Sequence, residues 1–487
     1  MKEQAHWLAV LVVAACGGTS NDGDVDAGID TPVADTTPPR VVATTPLAGA
    51  TKVGVYTPIT VTFDEPLDPA TATAENFRLV ASNYPVPLNV GVTYDAATRT
   101  VALHPVRALT TGLVYRLTIG TAVKDVAGNA FGGERLRFAP VVNGVARVVS
   151  RDPVNNGITD WTSYRWNATG YTYVQYGGRG ADAIWLTADD TVSSHYEYTY
   201  TQGLADTGRV FDAGPDNVLD TADDVVRGFF RYDYDTEGRS TGQSSFSGAG
   251  VDGVWGTGDD VLQQYSASTW DAADDLTGST TVVGPGIDGL WRTADDVVST
   301  FSTYGYDAAG NQTRSVQANA GLDGIARTSD DVVTSYAVTT FDTHHNINTR
   351  LTYQGAGADQ VWFTADDVVQ GGLRYDYNAQ GLFVAQYQYS AAGADAIWNT
   401  GDDVVSSLAT YLWNPSAQLT TITAFSGAGA DGVWATADDV TSWYSSKTYD
   451  ASGRATDYHS YAAPGPDGIW KTGDDRAALD YDYDLVN

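Results

Sequence analysis

The sequence predicts an all-β protein: a β-sandwich followed by a nine-repeat array of antiparallel β-hairpins, curled into a spiral or barrel-like shell. Three observations carry this. The stretch Gly250-Val251-Asp252-Gly253-Val254-Trp255-Gly256-Thr257-Gly258-Asp259-Asp260-Val261 recurs nine times, led by Asp182, Asp216, Asp252, Asp288, Asp323, Asp359, Asp395, Asp431 and Asp467. The intervals are 34, 36, 36, 35, 36, 36, 36 and 36 residues, a fixed period of the kind that marks a repeat array. The composition, with 51 Gly, 29 Tyr and 13 Trp against one Met, favours short strands joined by glycine turns. Between the turns, apolar and polar residues alternate at period two.

Residues 1–16 have the layout of an export signal: Lys2, the apolar run Trp7-Leu8-Ala9-Val10-Leu11-Val12-Val13, then small residues. The run is too short to span a bilayer. Val13-Ala14-Ala15-Cys16-Gly17 resembles the bacterial lipoprotein signal, which implies that Cys16 becomes a lipidated N-terminus. Cys16 is the only cysteine, so no disulfide framework accounts for it. Residues 17–37 hold five Asp among Gly, Ser and Thr up to residue 35 and lack the apolar surface needed to order themselves, which predicts a disordered tether.

Residues 38–140 contain alternating runs such as Ile59-Thr60-Val61-Thr62-Phe63 and Val114-Tyr115-Arg116-Leu117-Thr118-Ile119, separated by Pro, Gly and Asp; this predicts a β-sandwich. The stretches Thr60-Val61-Thr62-Phe63-Asp64-Glu65-Pro66-Leu67-Asp68-Pro69, Asn76-Phe77, Tyr94-Asp95 and Val123-Lys124-Asp125-Val126-Ala127-Gly128-Asn129 resemble the bacterial Ig-like domain of surface proteins. The resemblance implies a spacer or adhesion stalk without catalytic residues.

Residues 141–153 read as a linker and 154–487 as the array. Each repeat carries a second landmark, clearest in Tyr232-Asp233-Tyr234-Asp235-Thr236-Glu237-Gly238-Arg239. Its aromatic position is filled by Trp166, Tyr200, Tyr234, Trp270, Tyr306, Phe341, Tyr377, Trp413, Tyr449 and Tyr483. These residues resemble the YD repeat of Rhs-type bacterial surface proteins, which implies hairpins wound into a curled sheet or hollow shell. The period here is longer by the Asp loop, and copies such as Asn414-Pro415-Ser416 lack the turn glycine.

Ten first strands and nine second strands make nineteen, a sheet of roughly 90 Å at about 4.8 Å per strand; a twisted sheet that wide curls or closes. In the repeat from Val297, strict alternation places Val298, Tyr304 and Tyr306 on one face and Ser299, Phe301 and Thr303 on the other. Aromatics stacked from repeat to repeat hold the array together at about 0.2 to 1 kcal/mol per cross-strand pair.

Residues 151–487 carry sixteen Lys/Arg against forty-seven Asp/Glu, a net of −31. Such a field repels nucleic acid and anionic membrane surfaces, so nucleic-acid binding is excluded and any membrane association runs through the lipid anchor. The leading Asp of each loop is joined by a pair: Asp189 and Asp190, Asp223 and Asp224, Asp259 and Asp260, Asp295 and Asp296, Asp330 and Asp331, Asp366 and Asp367, Asp402 and Asp403, Asp438 and Asp439, Asp474 and Asp475. Two readings stand side by side. The carboxylates cap their own turn, or three of them with Thr257-type hydroxyls and carbonyls supply the six to eight oxygens that calcium takes.

Paired carboxylates also invite a hydrolase reading. Nine equivalent copies argue against it, because an active site needs environments that push pKa values apart. Trp185, Trp255, Trp291, Trp362, Trp398, Trp434 and Trp470 in the loops either stack on sugar rings or pack beneath their own loop. His344-His345 reads as a hairpin turn. The expectation is a non-enzymatic cell-envelope lipoprotein, at an outer membrane or cell surface, whose array binds a glycan or protein or serves as a structural shell. A carbohydrate-active enzyme and a toxin-delivery shell are the alternatives.

Overall fold

The computed structural model describes residues 35–483 except 54–57, 82–87, 89, 106–108, 110–113, 141–144, 153, 168–169, 202–203, 220, 237, 274, 344–345, 380–381, 416–417 and 450–454. The export signal with Cys16, most of the tether, and His344-His345 therefore lie outside the described residues.

The first unit is a two-sheet sandwich. One sheet runs Val41–Thr45, Ile59–Phe63, Thr100–Pro105, Val90–Asp95, and the other Ala50–Val53, Glu134–Pro140, Tyr115–Ile119, Phe77–Ala81. Ile59, Val61 and Phe63 point inward while Thr60 and Thr62 are half-buried, as the alternation predicts. Phe63 meets Phe77 and Phe131 edge-on at 6.4 and 5.6 Å, and Leu79, Val101, Leu103, Leu117 and Ile119 complete the core. Each such buried side chain contributes about 1.5–3 kcal/mol.

The second unit is a closed antiparallel barrel of twenty strands, from Val145–Arg151 through to Arg476–Tyr483. The first of these corrects the expected linker at 141–153: Val145–Arg151 pairs with both Ile158–Asn167 and Arg476–Tyr483. Parity explains why it is needed. In an up-and-down array of nineteen strands the first and last run parallel; a twentieth restores antiparallel pairing at the seam and leaves no open edge. At about 4.8 Å per strand and a tilt of about 40°, the wall has a radius of roughly 20 Å.

The expected assignment of faces also needs correction. Val298 pairs with Val282 and Thr300 with Thr281, so Ser299 is left over as a β-bulge and residues beyond it change sides. Val298 therefore shares a face with Phe301 and Thr303, and Tyr304 and Tyr306 lie opposite. The same bulge falls at Thr334, Ser406 and Ser442. A hydroxyl at the bulge donates to the partner strand, from Ser299 Oγ to Thr281 O at 3.3 Å and from Ser442 Oγ to Ala424 O at 3.1 Å.

Tyrosines near the turns fix which face is concave. Tyr171 and Tyr232 stand three strands apart, about 14 Å on a flat sheet, yet the Tyr232 phenol adds to the upward shift of the Tyr171 pKa, which arises first from burial and then from Tyr200, Tyr198 and Tyr173. Such an approach accords with the inside of a curved wall. The described aromatics of the turn landmark share this tyrosine face, which lines the lumen, and the Asp loops pack on the opposite face.

The sandwich sits on the rim formed by the YD turns. Arg78 Nη2 meets Asp275 Oδ1 at 3.1 Å, Arg135 Nη2 donates to Ala272 O at 3.3 Å and Arg137 Nη2 to Thr236 O at 3.0 Å. Two turn glycines are required here. Gly238 and Gly310 have φ of 74° and 79°, and a Cβ on either would run into the guanidinium of Arg137 or Arg78.

Candidate functional site

The Asp loops close on themselves through their own carboxylates. In the loop of Asp252, Oδ2 of Asp259 accepts from the N–H groups of Val251 and Asp252 at 2.6 and 3.0 Å. Oδ1 of Asp252 accepts from Val254 N at 2.7 Å, and Oδ2 of Asp260 from Gly256 N at 2.8 Å. Thr257 donates to Asp259 Oδ1 at 2.7 Å. These bonds, led by Thr257, hold the Asp259 carboxyl below its ordinary range.

The pattern repeats around the barrel. Asp189, Asp295, Asp366, Asp402 and Asp438 each accept two loop N–H groups, and Asp223, Asp330 and Asp474 accept from Asp216, Asp323 and Asp467. The leading Asp182, Asp216, Asp288, Asp323, Asp359, Asp395, Asp431 and Asp467 each cap the residue two places on.

The third Asp of the motif joins one repeat to the strand before it. Tyr265 OH donates to Asp296 Oδ2, Tyr336 OH to Asp367 and Tyr444 OH to Asp475, each at 2.6 Å. Burial, followed by the bond to Asp296, pushes the Tyr265 pKa up to about 12. Asp190, Asp403 and Asp439 are likewise buried and accept from Leu186, Asn399 and Ala435. Asp224 and Asp331 accept from Thr221 and Thr328.

Among the described residues, the one group of three acidic side chains whose ligand atoms lie within 4.8 Å of one another is Asp35, Glu65 and Asp125, in the sandwich. The three carboxylates of an Asp loop do not form such a group. Loop tryptophans pack rather than project: Trp255, Trp291, Trp362 and Trp470 lie 6.2, 6.1, 6.0 and 5.9 Å from Phe229, Tyr265, Tyr336 and Tyr444.

The inner wall carries a different chemistry, which the sequence reading did not single out. The register gathers Tyr171, Tyr173, Tyr196, Tyr198, Tyr200 and Tyr232 on one concave patch. Tyr171 stacks on Tyr198 at 5.1 Å and Tyr173 on Tyr196 at 4.4 Å. Strand charges such as Arg209, Arg231, Asp233, Arg314, Arg374 and Asp376 fall on the outer face. The signal for the patch was the run Tyr196-Glu197-Tyr198-Thr199-Tyr200 opposite Tyr171-Thr172-Tyr173.

The family model described as bacterial Ig-like domain matches residues 35–139. No curated protein matches the chain. Solved structures overlap only loosely. A crystal structure titled TcdB2-TccC3-TEV aligns over 87% of this chain and 18% of its own at 14% identity and a TM-score of 0.24. The S-layer protein rSbsC(31-844) aligns over 90% of this chain and 67% of its own at 13% identity and a TM-score of 0.19. A porin-like protein from Bacteroides uniformis aligns over 55% of this chain and 93% of its own at 11% identity and a TM-score of 0.25. The chain thus spans less than a fifth of the first of these, and it contains a bacterial Ig-like domain followed by a closed repeat barrel.

Proposed function

We propose that the protein is a non-enzymatic, lipid-anchored surface protein whose Ig-like domain carries a YD-type repeat barrel that binds a partner outside the cell. The observation that carries this reading is the use of the Asp carboxylates: the same N–H caps recur in successive loops, so the motif is spent on building a wall rather than on one reactive centre. The Ig-like domain matched at 35–139 supports a location at the cell surface. Lipidation at Cys16 and calcium uptake at the Asp loops belong to the same proposal.

Cell fractionation tests it. The native chain is expected in the envelope fraction and accessible to a membrane-impermeant label on intact cells, whereas Cys16→Ser is released. A variant that stays in the membrane with unchanged mobility refutes the anchor; a native chain inaccessible on intact cells refutes the surface placement. The closed wall also favours a second reading, a delivery shell. A protease-protected polypeptide co-purifying with the full chain would support that one.

A further inference from the structure

We propose that the inner-wall patch of Tyr171, Tyr173, Tyr196, Tyr198, Tyr200 and Tyr232 binds an uncharged polysaccharide chain, an inference that rests on the binding-barrel reading above and names its ligand class. The rings stand on edge, because stacking at 5.1 and 4.4 Å with interplanar angles of 14° and 12° sets ring faces against one another along the wall. What the patch presents to the lumen is therefore ring edges tipped with hydroxyls.

Its neighbours on the concave face are Gln175, Ser194, Gln243 and Ser245, neutral groups that both donate and accept. Among the described residues, the register places Asp160, Arg350 and Lys447 as charges on that face between bulge and turn, and Asp206 at the turn end comes close to Tyr234 beside the patch. Burial followed by neighbouring phenols raises the pKa of Tyr171, Tyr173, Tyr198, Tyr200 and Tyr232, that of Tyr232 to about 12, so these five remain protonated donors through physiological pH. A sugar chain offers a dense set of hydroxyls and few charges, matching this surface. An unfolded polypeptide brings charged and large apolar side chains, for which the patch has neither counter-charge nor apolar pocket. Anionic polymers meet the acidic outer rim first.

The test is titration calorimetry on the full chain with maltoheptaose, cellohexaose, laminarihexaose and chitohexaose as neutral probes. Hexagalacturonate serves as the anionic probe and reduced, carboxymethylated α-lactalbumin as the polypeptide probe. At least one neutral probe is expected to bind with a Kd on the order of 0.1–1 mM. The double variant Tyr171→Phe/Tyr198→Phe, which keeps the rings but loses the bond between the Tyr198 and Tyr173 hydroxyls, is expected to weaken it about tenfold, measured well below the melting temperature of both chains. Tyr173→Phe gives an independent reading should the double variant fold poorly. No neutral binding at 10 mM, or binding unchanged in the Phe variants, overturns the proposal. Binding of the polypeptide or hexagalacturonate alone overturns the ligand class while leaving a binding barrel; the absence of any ligand together with failed surface labelling counts against the underlying reading instead.

Discussion

Tyr306 donates its hydroxyl to the carbonyl of Leu276, 2.9 Å away and thirty residues earlier. The same bond runs from Trp270 to Ser240 at 2.8 Å, from Tyr377 to Ile347 and Trp413 to Phe383 at 2.9 Å, and from Tyr449 to Leu419 at 2.7 Å. In these five repeats the landmark aromatic thus clamps the start of the second strand of the repeat before it, which Phe341, lacking a donor, cannot do. Tyr306→Phe retains the ring and strands the carbonyl, which should cost about 1 kcal/mol. Equilibrium urea unfolding followed by the barrel's tryptophans is the measurement; an unchanged midpoint would remove the clamp from the account.

That aromatic position was legible because it recurs every repeat, as were the loops and the sandwich, whose Ile59-Thr60-Val61-Thr62-Phe63 alternation survives intact. What sequence periodicity could not show is the bulge at Ser299, since an added residue has no composition of its own; a serine there looks like any other polar strand residue. The closing strand was hidden for a related reason. Val145–Arg151 precedes the first copy of the motif, and its role follows from parity around a ring rather than from any local pattern. The tyrosine patch depends on both, because curvature decides which face is enclosed.

Replacement of the loop carboxylates should separate capping from metal binding. Asp259→Asn keeps an oxygen for the Val251 and Asp252 N–H groups, whereas Asp259→Ala removes it and should cost about 0.5–2 kcal/mol, as loss of comparable caps does. Because the loop's own bonds already engage the carboxylates, calcium is expected to bind weakly, at millimolar concentration, and to raise the melting temperature by mass action. That rise should vanish in Asp252→Asn/Asp259→Asn. If calorimetry finds no calcium uptake at a few millimolar, the loops are capped turns alone.

Acid should weaken the loops. The carboxyls of Asp259, Asp295 and Asp366 titrate below the ordinary 3.8 in the folded state, through bonds to Thr and backbone N–H groups. A depressed pKa contributes stability above the unfolded value that is lost as pH falls through the folded one. The melting temperature is expected to drop progressively below about pH 4, and to drop less in variants with Asn at these positions.

Left-handed backbone offers a route to stabilisation. Gly253 and Gly289 have φ of 69° and 71° with open space where a Cβ would stand. The equivalent Ala183, Gln360 and Ala396 hold φ of 59°, 60° and 58°, a conformation that costs an ordinary L-residue about 1 kcal/mol. Ala396→Gly and Gln360→Gly should relieve this, offset in part by the greater freedom glycine gains on unfolding, for a net gain of about 0.5 kcal/mol each. Thermal unfolding of the single and double variants, which should be additive across separate loops, would expose the idea as wrong if either lowers stability.

The barrel's seam should respond to pH through His459. Its Nδ1 lies 2.9 Å from Asp480 Oδ1 and its Nε2 2.8 Å from Asp457 Oδ2, and Asp480 Oδ2 also accepts from Arg151 Nε at 2.6 Å. Asp480 therefore links the strand of His459 to Val145–Arg151, the strand that closes the ring. Burial opposes the imidazolium, but the two carboxylates outweigh it and raise its pKa above 6.5. A raised pKa contributes stability that is complete below 6.5 and is lost as pH rises through the folded-state value. The melting temperature of the barrel should therefore decline from pH 6 to pH 8.5, and the decline should be shallower in His459→Gln, which keeps hydrogen bonding without the titration. Because the imidazole is partly exposed, salt should reduce the difference. Equal slopes in the native chain and His459→Gln would show that the seam is held by Arg151 and the backbone ladder instead.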